Sequence, residues 1–441
     1  MSRSNLFRLS TLALLVGAAT QAGAYELYAD EDTHLNATLE AVYGFFHSQE
    51  NYAIAGSKSE GSSSWREGYA KYGISFDQGL AGAGTSYGAF NMLSSGTWGD
   101  GDAAGFTDGS ERTTKIEDAY LGWRSGLLFE ALGEGGVDFS FGRQNIMIGD
   151  GFLINGDALN LGKGLADGEF NRGGAYWLAA RKAFDQTAIL RLGGKDGLRG
   201  DLMWLKSDNR AQAKPELLVG NLEHVSEAGT LGLTAIDIRD IDEEFASPFQ
   251  AERDGMKTYS VRGQGNAGVE NLFLSGEYAW QDKKNVDDED AWYLEAGWTF
   301  SDVAWSPSVN YRYSRFSEGY DPLFTGFSRG YGTWFQGEVA GNYAGPFNSN
   351  TQVHHVAFKV TPLENLSLGA LWFDFNTLDR DLGNFDGREV DLYAEWAVTE
   401  NLIVMPVVGL YKPDRSADEG GTQLGGNDSN LYSQLVFVTI F

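Results

Sequence analysis

The chain has no cysteine, only 8 prolines in 441 residues, and 33 lysines and arginines against 61 aspartates and glutamates. Without cysteine there is no disulfide framework, no zinc–cysteine site and no cysteine-held iron–sulfur cluster. A formal charge of −28 repels phosphate and excludes simple duplex nucleic-acid binding. Beyond residue 24 no apolar run approaches the about 18 residues of a membrane helix, so a helical bundle in the bilayer is excluded as well. Charged residues are 21% beside 42% hydrophobics, too few charges for a disordered chain. What is plentiful is glycine, 58 residues, and aromatics, with 27 Phe, 20 Tyr and 12 Trp. That combination suits many strands and many turns.

The N-terminus reads as an export signal. Arg3 and Arg8 supply a positive start, residues 12–19 (LALLVGAA) a short apolar core, and Ala22-Gly23-Ala24 a small-residue cleavage site. Residues 1–24 are expected to be removed, leaving 25–441 as one domain. No cysteine follows the cleavage site, so this is not a lipoprotein signal. The destination is beyond the inner membrane of a bacterium.

Period-two alternation runs through the chain. In 291–300, Trp292, Leu294, Ala296, Trp298 and Phe300 alternate with Tyr293, Glu295, Gly297 and Thr299. In 388–398, Val390, Leu392, Ala394 and Trp396 alternate with Glu389, Asp391, Tyr393 and Glu395. A soluble sandwich alternates in the same way, with the apolar face inward. A membrane barrel turns that face to lipid and the polar face to a lumen. The last strand favours the barrel. It places Leu435, Phe437, Thr439 and Phe441 on one face, and a terminal Phe looks like the signal read by the barrel-assembly machinery. The fold class expected is therefore all-β: a transmembrane, antiparallel, up-and-down β-barrel in the bacterial outer membrane.

Loop parity gives the strand number. Eight short connections (near 79–83, 126–135, 194–197, 226–229, 265–269, 302–305, 361–364 and 398–401) alternate with nine longer polar ones. The longer ones are 47–65, 97–113, 147–185, 208–216, 240–255, 282–289, 318–350, 377–386 and 413–429. Short periplasmic turns and long extracellular loops in that alternation join eighteen strands. Residues 173–183 and 332–343 could pass for strands, but counting either alone breaks the parity. They are placed in the loops, with 175–184 (AYWLAARKAF) read as a short helix. The aromatic loops 147–185 and 318–350 are the candidates to fold into the pore.

Much of the negative charge falls in the outer loops, as in 240–255, Asp287-Asp288-Glu289, and Asp414, Asp418, Glu419 and Asp428. Solubility and divalent bridging to anionic lipopolysaccharide account for it, so outer-membrane lipid is an expected partner. A structural calcium site at Asp100, Asp102 and Asp108 is the sharper reading, because hard cations want several oxygens on a Gly-rich loop. Otherwise no cofactor is expected. The polar face of the strands is different. It puts Lys71, Arg124, Arg191, Arg199, Arg262, Arg312 and Lys359 inside, with Glu40, Asp118, Asp201, Glu277, Glu295, Glu389, Asp391 and Glu395. Opposed charges across a lumen select solutes electrostatically; the plainer role is cross-strand pairing in the wall.

Residues 140–157, SFGRQNIMIGDGFLINGD, are specific. Gly142, Arg143, Gln144, Gly149, Asp150 and Gly151 resemble a segment of the outer-membrane alginate-export porin family. Tyr320-Asp-Pro-Leu-Phe324, Tyr331-Gly-Thr-Trp-Phe335 and 360–368 (VTPLENLSL) resemble a second. The resemblance implies a monomeric eighteen-stranded barrel that passes an anionic uronate polysaccharide such as alginate, with an arginine-lined constriction. Tyr331 and Trp334 would lie on the path. Arg143 would be a constriction arginine, or else a strand-end arginine anchoring the loop to Asp150 or Asp157. A porin for small acidic or neutral solutes (sugar acids, oligosaccharides) satisfies the same residues.

Nothing points to an enzyme. The five histidines are His34, His47, His224, His354 and His355, and the last two face opposite sides of one strand. Residues 162–174 are Gly-rich without phosphate-loop spacing. Glu389 and Asp391 stand on one strand face without an implied pocket.

Overall fold

The computed structural model describes residues 24–326, 329 and 336–441. Nineteen strands form it: β1 (Ala24–Ala29), β2 (Thr33–Ser48), β3 (Ser63–Gly79), β4 (Thr85–Gly99), β5 (Arg112–Arg124), β6 (Val137–Gln144), β7 (Phe184–Leu192), β8 (Gly197–Lys206), β9 (Glu216–Ser226), β10 (Gly229–Asp240), β11 (Lys257–Gly265), β12 (Leu272–Asp282), β13 (Glu289–Thr299), β14 (Ser308–Phe316), β15 (Thr351–Leu363), β16 (Leu366–Thr377), β17 (Gly387–Thr399), β18 (Leu402–Pro413) and β19 (Asn430–Ile440). Each strand from β2 to β19 pairs antiparallel with its sequence neighbour, and β19 pairs with β2, so eighteen strands close the barrel. The short β1 pairs with residues 34–38 of β2. That is the edge on which β19 pairs with residues 40–48, so β1 continues the line of the last strand.

The side-chain pattern is inverted relative to a soluble protein. Leu198, Leu231 and Leu294 face outward and are 66%, 67% and 63% exposed. On β9, β11, β12 and β13 Glu223, Arg262, Glu277 and Glu295 face inward and are buried. Apolar outside and polar inside is stable only where the outside meets lipid, and closure leaves no unpaired edge in the hydrocarbon. The barrel therefore belongs in the bacterial outer membrane.

Short and long connections alternate around it as the parity argument requires. The two longest, residues 145–183 between β6 and β7 and 317–350 between β14 and β15, pack against inward-facing wall residues. Trp177 lies 5.5 Å from the ring of Phe46, and Tyr343 lies 5.5 Å from Trp65. On the opposite wall Phe152 packs on Tyr293 and Phe316 at 5.3 and 5.9 Å. The apolar core thus consists of loop side chains packed on inward-facing strand residues inside the barrel, in two clusters.

The short helix expected over 175–184 is not there. Residues 176–179 form a turn, and Phe184 already begins β7. The backbone donors that a helix would use internally go to wall carboxylates instead. Leu178 N–H donates to Glu67 at 3.1 Å, and Lys182 and Ala183 N–H both donate to Glu117, at 2.7 and 2.8 Å. A buried carboxylate is a stronger acceptor than a helix carbonyl.

Candidate functional site: the charged lumen

The inward parity of the strands sets the wall charges in cross-strand pairs. Arg124 on β5 meets Asp138 on β6 at 3.3 Å. Arg191 on β7 meets Asp201 on β8 at 3.6 Å, and Arg199 on β8 meets Glu223 on β9 at 2.5 Å. Arg262 on β11 also reaches Glu223, at 2.5 Å, and donates to Asn221 and Thr234 at 2.6 Å each. These four arginines line one cavity of about 570 Å³ at the short-turn end of the lumen, roofed by residues 147–150. Lys71 lies elsewhere on the wall, 3.7 Å from Glu40 and 3.8 Å from Asp118. Arg312 is buried 3.6 Å from Glu295, and Lys359 is 2.8 Å from Glu395. Every one of the seven inward bases has an acidic partner. Tyr331 and Trp334 lie outside the described residues.

Exposure separates the two members of the pairs near the short turns. The Arg124, Arg191 and Arg199 side chains are 46%, 44% and 42% exposed, while their acids Asp138, Asp201 and Glu223 are 16%, 18% and 8% exposed. Lys71 and Lys359 follow the same order, each 30% exposed over acids at 13% or less. Two groups of one charge each sum to zero, but the positive end faces the water.

The loops meet in the middle. Ile154 pairs with Phe324 in a parallel bridge, Asn155 N–H donates to Phe324 C=O at 2.8 Å, and Gly326 N–H donates to Gly151 C=O at 3.0 Å. Asp150 accepts from Tyr293 at 2.7 Å and pairs with Arg329 at 2.7 Å; Arg329 also reaches Glu295 at 2.9 Å. Gly149 has φ +59°, and a Cβ there would stand 2.9 Å from Arg262 Cδ, so glycine lets the loop tip approach the wall. Sequence reasoning missed Arg329, although it is the sole base between residues 318 and 350.

Arg143 is neither a free constriction arginine nor an anchor to Asp150 or Asp157. Strict alternation would put it outward with Phe139 and Phe141, but the β6–β7 register slips between Gly142 and Gln144. Gly142 takes φ +121°, a conformation that favours glycine, and this bulge removes Arg143 from the lipid-facing row. It is buried, paired with Asp185 at 2.8 Å and Asp208 at 2.9 Å. Arg172 and Arg181 of the 145–183 loop converge on the same Asp208 at 3.3 and 3.7 Å, and Arg172 holds the fully buried Asp157 at 2.9 Å. Burial pushes the Asp208 carboxyl up, but the three guanidiniums outweigh it and hold it below the usual carboxylate range. This strut was also missed: period-two reading ranks strand residues and is silent on which loop bases reach a wall.

Asp100, Asp102 and Asp108 are not brought together. Asp102 closes its own loop, accepting from the Ala104, Phe106 and Thr107 backbones at 3.0, 3.2 and 2.6 Å. Asp100 accepts from Ser64 N–H at 2.9 Å and Asp108 from Ser110 N–H at 2.8 Å. Among the described residues no three His, Cys, Asp or Glu side chains gather to hold a metal ion.

A BenF-like porin from Pseudomonas fluorescens Pf-5 superposes with a TM-score of 0.57 at 10% identity, covering 92% of this chain and 98% of its own. OccK7 (OpdD) from Pseudomonas aeruginosa gives 0.55 at 12% identity, over 94% and 99%. OccAB2 from Acinetobacter baumannii gives 0.54 at 9%, over 92% and 98%. The fold is a porin fold. No family model and no curated sequence matches the chain. These neighbours overturn the resemblance to the alginate-export family drawn from residues 140–157 and 320–368. The physical reason is local: Gly142, Gly149 and Gly151 all have positive φ, so the Gly-Arg-Gln and Gly-Asp-Gly signature records a bulge and tight turns. Such turns serve any barrel whose loop dives inward; they carry no information about a polymer.

Proposed function

We propose that this barrel is a porin for small acidic solutes, sugar acids being the representative class, which diffuse through it without a cofactor. The observation that carries the reading is the exposure order in the wall pairs: at Arg124–Asp138, Arg191–Asp201 and Arg199–Glu223 the base is the member that meets water. A carboxylate entering the cavity exchanges water for guanidinium contacts, whose planar fork matches it. The acids behind keep the attraction shallow enough for release. Cavity size supports a small solute. About 570 Å³ lies within the range of small-molecule sites, and the 147–150 loop tip roofs it where a polymer would need a continuous bore.

The test is single-channel recording in planar bilayers with liposome swelling. Anion-selective current and faster swelling in a hexuronate than in the matching neutral hexose support the reading. Cation selectivity, or equal swelling in both, sinks it.

A further inference from the structure

The lipid-facing wall carries a depression across β2–β5 that a smooth barrel does not need. In register, Tyr43 stands beside Gly68, Gly68 beside Gly96, and Gly96 beside Arg112. One row further from the loops, Ala41, Ala70, Ser94 and Thr114 are neighbours. The floor is thus made of small side chains over four strands, a width of roughly 15 Å at strand spacing. The Ser94 and Thr114 hydroxyls bond each other at 2.9 Å, and Ser94 Oγ also lies 3.3 Å from the Tyr72 hydroxyl. Large outward residues frame it: Tyr43, Trp98 and Phe437 border the hollow of about 700 Å³, and Tyr72 and Phe90 close its lower end in the next rows.

At the loop end of the hollow sit Arg66 and Arg112, both exposed. Arg112 lies 4.1 Å over the Trp98 ring, and Arg66 is the cross-strand neighbour of Trp98. Three other arginines of the outer rim sit on acids, Arg239 on Asp237 at 2.7 Å, Arg315 on Asp290 at 3.4 Å and Arg388 on Asp374 at 2.9 Å, whereas the exposed Lys412 donates to the Asn427 carbonyl instead. Among the described residues no carboxylate pairs with Arg66 or Arg112. Arg112 Nη1 donates to the Thr97 and Glu111 carbonyls, but in a chain of formal charge −28 two guanidiniums without a carboxylate partner on one lipid-facing hollow are a local reversal of sign.

We propose that this hollow binds a phosphorylated, acylated glycolipid of the outer leaflet. An acyl chain lies on the Gly68–Ala70–Ser94–Thr114 floor, and a sugar phosphate sits between Arg66 and Arg112. The long-loop end of the barrel is the outer-leaflet end, and phosphate is the anion that a paired guanidinium site fits best. A second copy of this chain would also cover a small-residue face, but it would need a carboxylate to meet the two arginines. A lipid phosphate meets them without one.

The experiment uses the full-length protein, delipidated in detergent, with bis-phosphorylated lipid A as probe and native mass spectrometry as readout. The same lipid stripped of both phosphates is the comparison. The bis-phosphorylated form is expected to bind at one copy per barrel, and Arg66→Ala/Arg112→Ala to weaken it on the order of 30-fold. Ala70→Trp, which points outward and fills the floor, is expected to weaken both forms, and Arg239→Ala neither. Heat-modifiable migration on gels confirms that each variant is folded. Equal binding of the two lipid forms, or wild-type binding by the double arginine variant, overturns the proposal. So does an oligomer that Ala70→Trp dissociates with lipid binding intact, which would make the hollow a contact between copies.

Discussion

Two sets of ion pairs in this barrel use the same residue types in opposite order. Near the short turns, Arg124, Arg191 and Arg199 stand out into the lumen, 46%, 44% and 42% exposed, with their acids beneath. Under the 145–183 loop, Arg143, Arg172 and Arg181 are 8%, 5% and 9% exposed, while the acids they share at the edge, Asp185 and Asp208, are 38% and 35% exposed; the other two acids of the set, Asp157 and Glu117, are buried with their bases. The difference follows from arm length. On a bare wall both partners root in the sheet, and the longer base protrudes past the shorter acid. Beneath a loop the long arms are consumed in bridging loop to wall, and the short acid is left at the edge. A count of arginines therefore does not give the sign of a pore surface. What a solute meets depends on which partner is outermost.

The comparison is broken most severely by removing a base from the buried set. Arg172→Ala leaves Asp157, 0% exposed, without its cation. Stranding a buried charge costs about 3–5 kcal/mol. A large fall in the urea midpoint is expected, with a noisier, larger single-channel current as the loop detaches. An unchanged midpoint would mean that the strut does not hold the loop. The exposed set should behave oppositely. Arg124→Ala/Arg191→Ala/Arg199→Ala removes pairs worth about 0–1 kcal/mol each, so the midpoint should move little. The anion-to-cation permeability ratio should fall severalfold, most visibly at low salt, where screening is weakest. Loss of stability without loss of selectivity would reverse the roles assigned to the two sets.

The sequence made one of these regions readable and hid the other, for a physical reason. Strand parity is a local rule with period two, so all seven inward bases and the nine loops follow from it. The closing of β19 on β2 needed only the alternation ending at Phe441. The strut needed knowledge of where loop residues land. Arg172, Arg181 and Asp208 lie in two different loops and meet only because the barrel brings β6, β7 and β8 side by side. For Arg143 a bulge at the strand end is open to expectation, and Gly142 at φ +121° provides it, but the partners Asp185 and Asp208 lie beyond any period-two pattern. The helix misread over 175–184 has the same origin. Its alanine-rich composition favours a helix, but Glu67 and Glu117, distant in sequence, take the backbone donors. Glycine-rich turns also look alike across unrelated barrels, which is how a turn signature came to resemble that of a polymer exporter.

The smallest effect expected is one of pH, and it sharpens the comparison because the two inserted loops should respond with opposite sign. Asp208 is held below its ordinary value of 3.8 by Arg172, Arg143 and Arg181 against the pull of burial. Its stabilisation is complete above that value and is lost as pH falls through the lower folded one, when three guanidiniums are left facing each other. Asp208, between β8 and β9, holds the 145–183 loop through Arg172 and Arg181, whereas Glu338 sits in the 317–350 loop itself. It is buried, it accepts from Trp177 Nε1–H at 3.1 Å, and it lies near Glu389. Burial, then the Glu389 charge, raise it well above its ordinary 4.5. A raised acid binds its proton more tightly folded than unfolded, so its contribution declines as pH climbs from 4.5 toward the folded value. Hydrogen exchange of residues 172–183 and 337–344, corrected for the intrinsic rate, should show the first segment loosening in acid and the second toward alkaline pH. Asp208→Asn should flatten only the acid arm and Glu338→Gln only the alkaline arm. If one substitution flattens both, the bridge from Ile154 to Phe324 couples the loops into a single unit, and the contrast between them holds for charge order alone.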